Sequence, residues 1–324
     1  MHFIGQKPII EGFRDKIKQN MLSHAYALTG PVGIGKRTLA HYLAKMLLCT
    51  SPEDMAPCGQ CRACKSFEAG ANPGLTVIRN ETKKILIKQI RGLIEDIGIR
   101  PASGRKVYLI EEAERMTPDA QNCLLKTLEE PPSYAVILLT TAYYESLLIT
   151  VRSRIVQMKL KPVSLEDMNR IAQVKGLDTK GKEHILTWSH GITGKALQLL
   201  GDTEFEENRE KVMQYVFSPE GFAHLEFNQY LSKEKEAFEE CMDILESVYR
   251  DILLVSCHAS QALQAADEGD GLINSDKKDN ILAYAQRYDP LVITEKISRI
   301  HEIRSNLKRN MNYQLAVDLI TLDV

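Results

Sequence analysis

The chain has 324 residues, 44% of them hydrophobic and 26% charged, and its 41 Lys and Arg against 43 Asp and Glu leave a formal net charge of -2. This is the composition of a globular protein of two or three domains. It excludes a surface that coats nucleic acid on its own, which needs an excess of cations to neutralise phosphate, while leaving a local basic patch open. The N-terminus MHFIGQKPII has no long apolar run with a processing site, and no stretch reaches the ~18 apolar residues of a membrane span. The sequence therefore reads as cytoplasmic, and its seven cysteines suit thiols or metal ligands better than disulfides.

In chain order, HAYALTG (24–30) reads as a buried strand running into a glycine-rich loop, and LAHYLAKMLL (39–48) repeats apolar residues at helical spacing. LTVIRN (75–80) is a second strand and ILIKQIRGLIEDI (85–97) a helix. KVYLIEEAE (106–114) is a third strand ending in acids. DAQNCLLKTLEE (119–130) is a helix stopped by Pro131 and Pro132, AVILLTTA (135–142) a fourth strand and RIVQMKL (154–160) a fifth. Strands alternating with helices predict an α/β fold, a parallel sheet with helices on both faces. Past LKPVS (160–164) the pattern turns helical, with one long polar interruption, ADEGDGLINSDKKDN (266–280). The expected organisation is an α/β domain over 1–162, a small helical lid over 163–205 and a helical domain over 206–324.

Cys49, Cys58, Cys61 and Cys64 are spaced C-x8-C-x2-C-x2-C. Two overlapping C-x-x-C units and a fourth thiol can close a tetrahedral sulfur shell, the usual structural zinc site, with no position left open for catalysis. Gly59 allows a tight turn, and Pro52 and Pro57 suit a loop. A redox pair would need only two of the four. Few basic residues accompany them (Arg62, Lys65), so the module at about 49–64 reads as a structural clip rather than a DNA reader. Cys123, Cys241 and Cys257 read as buried thiols.

GPVGIGKRTL (30–39) departs at one point from the phosphate-binding pattern G-x-x-x-x-G-K-[ST], in which backbone amides cradle phosphates, the Lys reaches the β/γ oxygens and a hydroxyl binds Mg²⁺. Gly30, Gly33, Gly35 and Lys36 are present. Arg37 takes the hydroxyl's place, and Thr38 comes one residue late. Such a site also needs an acid on the neighbouring strand for the metal and another to orient water. Glu111 and Glu112 stand there after VYLI, and Glu111 is one methylene longer than the usual Asp. Both metal-holding positions are thus altered together. Arg37 is open to two readings, a cation that contacts phosphate without Mg²⁺ or a solvated side chain. Arg152 and Arg154 in TVRSRI read alone as surface charge.

Together these residues resemble a family. GPVGIGK, the four-cysteine insertion, VYLIEEAERM, NCLLKTLEEPP, ILLTTAYYESLLITVRSR, GITGKALQLL and the closing IRSNLKRNMNYQLAVDLITLDV are similar, in order, to bacterial DNA polymerase III clamp-loader subunits of the AAA+ class. The resemblance implies an AAA+ P-loop domain with the zinc insertion, then a lid and a collar domain. Two members carry both the zinc module and the S-R-C-type finger, the γ/τ motor and the δ′ subunit. The start at IGQKP and the end after the collar pattern resemble δ′, as does Gly194, which stands with Lys195 where the motor has a phosphate-sensing Arg. Ser153 and Arg154 match the family's S-R pair, and Ile155 replaces the usual Cys.

The resemblance to δ′ implies a stator in a five-membered ring with γ/τ and δ, which opens the sliding clamp and places it on primed DNA. Ser153 and Arg154 would serve, in trans, ATP bound to the neighbouring motor subunit. The chain's own loop would hold ATP or ADP weakly or not at all, and its glycines would serve packing. The alternative is an active motor ATPase working through Lys36, Thr38, Glu112 and the sensor-like Thr141. A zinc-bearing nucleoside kinase would need a basic lid and an acceptor-binding acid, which the sequence does not supply.

Overall fold

The computed structural model describes residues 3–53, 56–79, 83–101, 104–218, 221–258 and 271–324. Two compact units are formed, Met1–Lys175 with His190–Lys195, and Gly176–Ser189 with Ala196–Val324.

The first unit opens with α1 (Lys7–Lys18), β1 (Ala25–Thr29), α2 (Lys36–Leu48), α3 (Arg62–Glu68), β2 (Leu75–Ile78) and α4 (Ile87–Gly98). It continues with β3 (Lys106–Ile110), α5 (Pro118–Glu129), β4 (Ala135–Thr141), α6 (Ile149–Arg152), β5 (Val156–Lys159) and α7 (Leu165–Val174). All strand pairs are parallel, in the order β2-β3-β4-β1-β5. This is the α/β sheet the sequence predicts. Its three inner strands are buried along their whole length, which is why they read as continuous apolar runs rather than as alternation. Asn80, at the end of the second predicted strand, lies outside the described residues.

Alternate residues of each strand face opposite layers. Ala25, Ala27, Tyr108, Ile110, Ile137 and Leu139 pack with Ile90, Leu93 and Ile97 of α4 and Ala120, Leu124 and Leu128 of α5. On the other face Tyr26, Leu28, Leu109 and Leu138 meet Phe13 of α1 and Leu39, Leu43 and Leu47 of α2. Local chemistry sets the helix ends. Thr117 caps α5 by accepting from the Ala120 amide, with Pro118 at the first helical position, where its missing N–H costs nothing. Ser164 caps α7 in the same way.

The second unit contains α8 (Glu183–Trp188), the larger part of α9 (Thr193–Leu200), α10 (Thr203–Phe217), α11 (Phe222–Lys233), α12 (Phe238–His258), α13 (Lys278–Arg287), α14 (Pro290–Lys308) and α15 (Tyr313–Asp323). Buried Cys241, Leu245, Val248, Tyr249 and Ile252 make the i, i+4, i+7 stripe by which α12 packs on α10, α13 and α14. Trp188 belongs to the core, beside Phe205. Of the three further cysteines, Cys241 is buried and Cys123 half-buried, but Cys257 is exposed on α12 near the end of that helix, contrary to the sequence reading. The polar stretch 266–280 lies outside the described residues up to 270, and α13 already begins at Lys278.

Candidate functional site

The glycine-rich loop follows β1 directly, with Gly33 and Gly35 in the left-handed region at φ 83° and 98°, where a side chain would be strained. The loop turns its own groups inward. Lys36 Nζ donates to the carbonyls of Gly30 (2.7 Å) and Pro31 (2.8 Å). Burial lowers the pKa of this ammonium, against the opposing pull of Glu114 and Glu112. The Gly33 carbonyl accepts from the Gly194 amide at 2.8 Å and from Thr193 Oγ1 at 3.2 Å. A Cβ at Gly194 would lie 2.8 Å from Gly33 Cα, so only glycine permits this approach.

At the end of β3, Glu111 is buried and met by two guanidinium groups and an imidazole. Its Oε1 lies 3.0 Å from Arg37 Nε and 3.0 Å from His41 Nε2, and its Oε2 lies 3.3 Å from Arg79 Nε. Burial raises the Glu111 pKa, but the His41 hydrogen bond and the charges of Arg37 and Arg79 outweigh it, so the net shift is downward. Arg37, whose role the sequence leaves open, therefore pairs with Glu111, the carboxylate that the sequence reading assigns to a metal. Sequence reasoning did not single out His41 and Arg79. The signal was present: His41 is one helical turn after Arg37, and Arg79 follows the strand next to β3. Thr38 is exposed. Glu112 has a left-handed backbone (φ 53°), donates its amide to Thr140 Oγ1 and pairs with Arg115 Nε at 2.6 Å. Thr141 is fully buried, its Oγ1 accepting from the Tyr143 amide.

Ser153 and Arg154 follow α6 at the surface. Ser153 Oγ donates to the Thr150 carbonyl at 3.0 Å, and Arg154 Nη1 donates to the same carbonyl at 2.9 Å and to Ser153 Oγ at 3.1 Å. Arg154 Nη2 lies 2.6 Å from Glu129 Oε1. Arg152 turns elsewhere, pairing with Glu145 and lying over the Tyr144 ring.

The four predicted cysteines converge. Their sulfurs all lie within 4.8 Å of one another, with Cys49–Cys58 at 3.6 Å and Cys49–Cys61 at 3.9 Å. A tetrahedral ion with metal–sulfur bonds of ~2.3 Å needs sulfurs about 3.8 Å apart, so the cluster fits an ion such as zinc. Amides of Cys58, Cys61 and Cys64 donate to the sulfurs of Cys49, Cys58 and Cys61, the support a thiolate shell uses. Without metal the thiols differ. A hydrogen bond from Thr50 is foremost in holding Cys61 down to about 5, while burial pushes Cys64 up to about 12. Cys49 closes α2 and Cys61 caps α3, so the module is fastened to the helix that starts at the phosphate loop.

A family model described as DNA polymerase III, delta subunit matches residues 5–164. The DNA polymerase III subunit delta' of Bacillus subtilis is 30% identical over 98% of this chain and 95% of its own length. The chain belongs to the DNA polymerase III δ′ subunit family. The tau/gamma subunit of Haemophilus influenzae is 37% identical over 52% of this chain, and the match spans only 24% of that longer protein. Among solved structures, a DNA polymerase III gamma subunit-related protein from Thermotoga maritima is 20% identical with a TM-score of 0.43, covering 96% of this chain and 97% of that one. That likeness is too distant to bear on function. No described helix is long and apolar enough to cross a membrane.

Proposed function

We propose that this chain acts as the stator of the DNA polymerase III clamp loader. In this reading its own nucleotide site is retired, and Arg154 with Ser153 completes the ATP site of a neighbouring tau/gamma subunit. The observation that carries the reading is the state of Glu111. The carboxylate that would hold Mg²⁺ is consumed by Arg37, His41 and Arg79, one of which occupies the place of the metal-binding hydroxyl. Lys36, bonded to its own loop, and Gly33, covered by Gly194, support the same reading. ATP and ADP then bind weakly or not at all.

The finger is chemically able to serve a neighbour. Arg154 is a permanent cation on the surface, with a side chain 35% exposed. A guanidinium brought to a transferring phosphoryl group stabilises the charge that develops on it, worth roughly 10³–10⁵ in rate. The 206–324 helices would form the collar that joins this chain to tau/gamma and delta in a five-membered ring, and 163–205 would form the lid. Sliding clamp and primer–template DNA would be engaged through the complex. The zinc is structural, held by Cys49, Cys58, Cys61 and Cys64.

Two measurements test the reading. Calorimetry of the isolated chain with ATP and ADP, with and without Mg²⁺, should give weak or no binding and no phosphate release. Arg154→Ala should leave the chain folded and assembled, yet lower the ATPase of the reconstituted complex at least tenfold. Tight Mg²⁺-dependent binding with steady turnover by the chain alone would make it a motor, working through Lys36, Thr38, Glu112 and Thr141.

A further inference from the structure

We infer that Glu129 is the positioning residue of the Arg154 finger, an inference that rests on the stator reading above. Glu129 is the last residue of α5, followed by Glu130 and then Pro131 and Pro132. An acid in that place faces the negative end of the helix, where carboxylates are disfavoured, so it needs a cation. The cation it meets is Arg154, at 2.6 Å. Nothing in the packing of α5 requires the contact, since the Glu129 side chain is 49% exposed.

The contact does little for stability, because exposed pairs contribute little, but it fixes a direction. A free Arg samples many rotamers. Here Nη1 is held by the Thr150 carbonyl and Ser153 Oγ, and Nη2 by the Glu129 carboxylate. The guanidinium has five N–H donors in a rigid fork. These three contacts use at most three of the five donors, so others remain for an incoming phosphate oxygen. Two elements far apart in sequence, the end of α5 and the turn after α6, thus present one pre-oriented cation. Misorientation of a reacting group by about 1 Å costs up to ~10²-fold in rate, so the brace acts on turnover rather than on nucleotide affinity.

The test uses the reconstituted complex with wild type, Glu129→Gln, Glu129→Asp and Arg154→Ala, reading kcat and KM for ATP, assembly and Tm. Glu129→Gln should lower kcat on the order of 10-fold with KM unchanged. Assembly should be normal and Tm should move by less than about 2 °C. Glu129→Asp, which keeps the charge on a shorter arm, should recover part of the rate. If Arg154→Ala lowers kcat while Glu129→Gln matches wild type or exceeds it, the brace is refuted and the finger stands. Equal losses in the Gln and Asp variants, or a loss explained by a fallen Tm or failed assembly, also refute the brace. If Arg154→Ala leaves kcat unchanged, the finger reading falls and this inference with it.

Discussion

The amide of Gly194 donates to the carbonyl of Gly33 across 2.8 Å, and neither residue has a side chain to prevent it. The two glycines lie 161 positions apart, one on the glycine-rich loop after β1 and the other at the start of α9. A Cβ on Gly194 would meet the Cα and O of Gly33, both at 2.8 Å. Those are backbone atoms, which cannot swing aside as a flexible side chain can. Glycine at position 194 is therefore what lets the segment close on the loop.

Gly194→Ala should force the two backbones apart. Overpacking of a tight contact costs about 1–3 kcal/mol, and the Thr193 Oγ1 bond to Gly33 should weaken with it. Hydrogen exchange is the direct readout, with the amides of 33–36 and 193–195 exchanging faster in the variant while those of β3 and β4 keep their protection. Unchanged exchange together with an unchanged melting curve would show that the close approach has no energetic weight.

Glu111 gives the first unit a pH dependence whose sign is fixed. Its folded pKa lies below the ordinary value of 4.5, so its pairing stabilises the fold fully at pH above the ordinary carboxylate range. That stability is lost as pH falls through the folded value. Glu111→Gln leaves Arg37, Arg79 and His41 without their shared anion. Removing one partner of a buried pair costs ~3–5 kcal/mol, and the exposure of the two Arg side chains reduces this to roughly 1–3 kcal/mol. Denaturant unfolding at pH 7 should show that loss, and at an acidic pH below the folded value of Glu111 the wild type and variant should converge. A loss of equal size at both pH values would mean that side-chain shape, not charge, is what Glu111 supplies.

The features legible in the sequence were those carried by short spacings: the buried strands, the glycines of the loop and the four cysteines within sixteen residues. The pairing of Glu111 was only half legible. Arg37 and Glu111 stood out as departures from a pattern, but nothing in the sequence tied one to the other, because a parallel sheet joins residues through strand neighbours rather than through chain distance. Arg79 reaches Glu111 only because β2 lies beside β3. Glu129 read only as a residue of the helix that Pro131 and Pro132 stop, until the turn after α6 brought Arg154 against it. Cys257 was read as a buried thiol, but it is exposed near the end of α12.

The metal cluster should stabilise more than its own loop. Helix α2 runs from Lys36 at the glycine-rich loop to Leu48, with Cys49 as its C-cap, and along it Lys45 pairs with Glu68 of α3 while the His41 ring meets Phe67 edge-on at 6.1 Å. His41 is also a partner of Glu111, so α3 and the Glu111 cluster brace the same stretch of α2. Binding to metal-dependent fingers is worth ~10–16 kcal/mol because there the ion makes the fold. Here the sheet has its own core, so we expect only a smaller part of that to appear as stability of the first unit. Protein grown with zinc should carry one ion per chain. Cys64→Ser should lose it, with a fall in Tm of several degrees and faster exchange along 36–49, while far-UV circular dichroism keeps most of its intensity. Zinc retained at full stoichiometry in Cys64→Ser would remove that residue from the shell. Loss of the ion without any change along α2 would confine the module's role to its own loop.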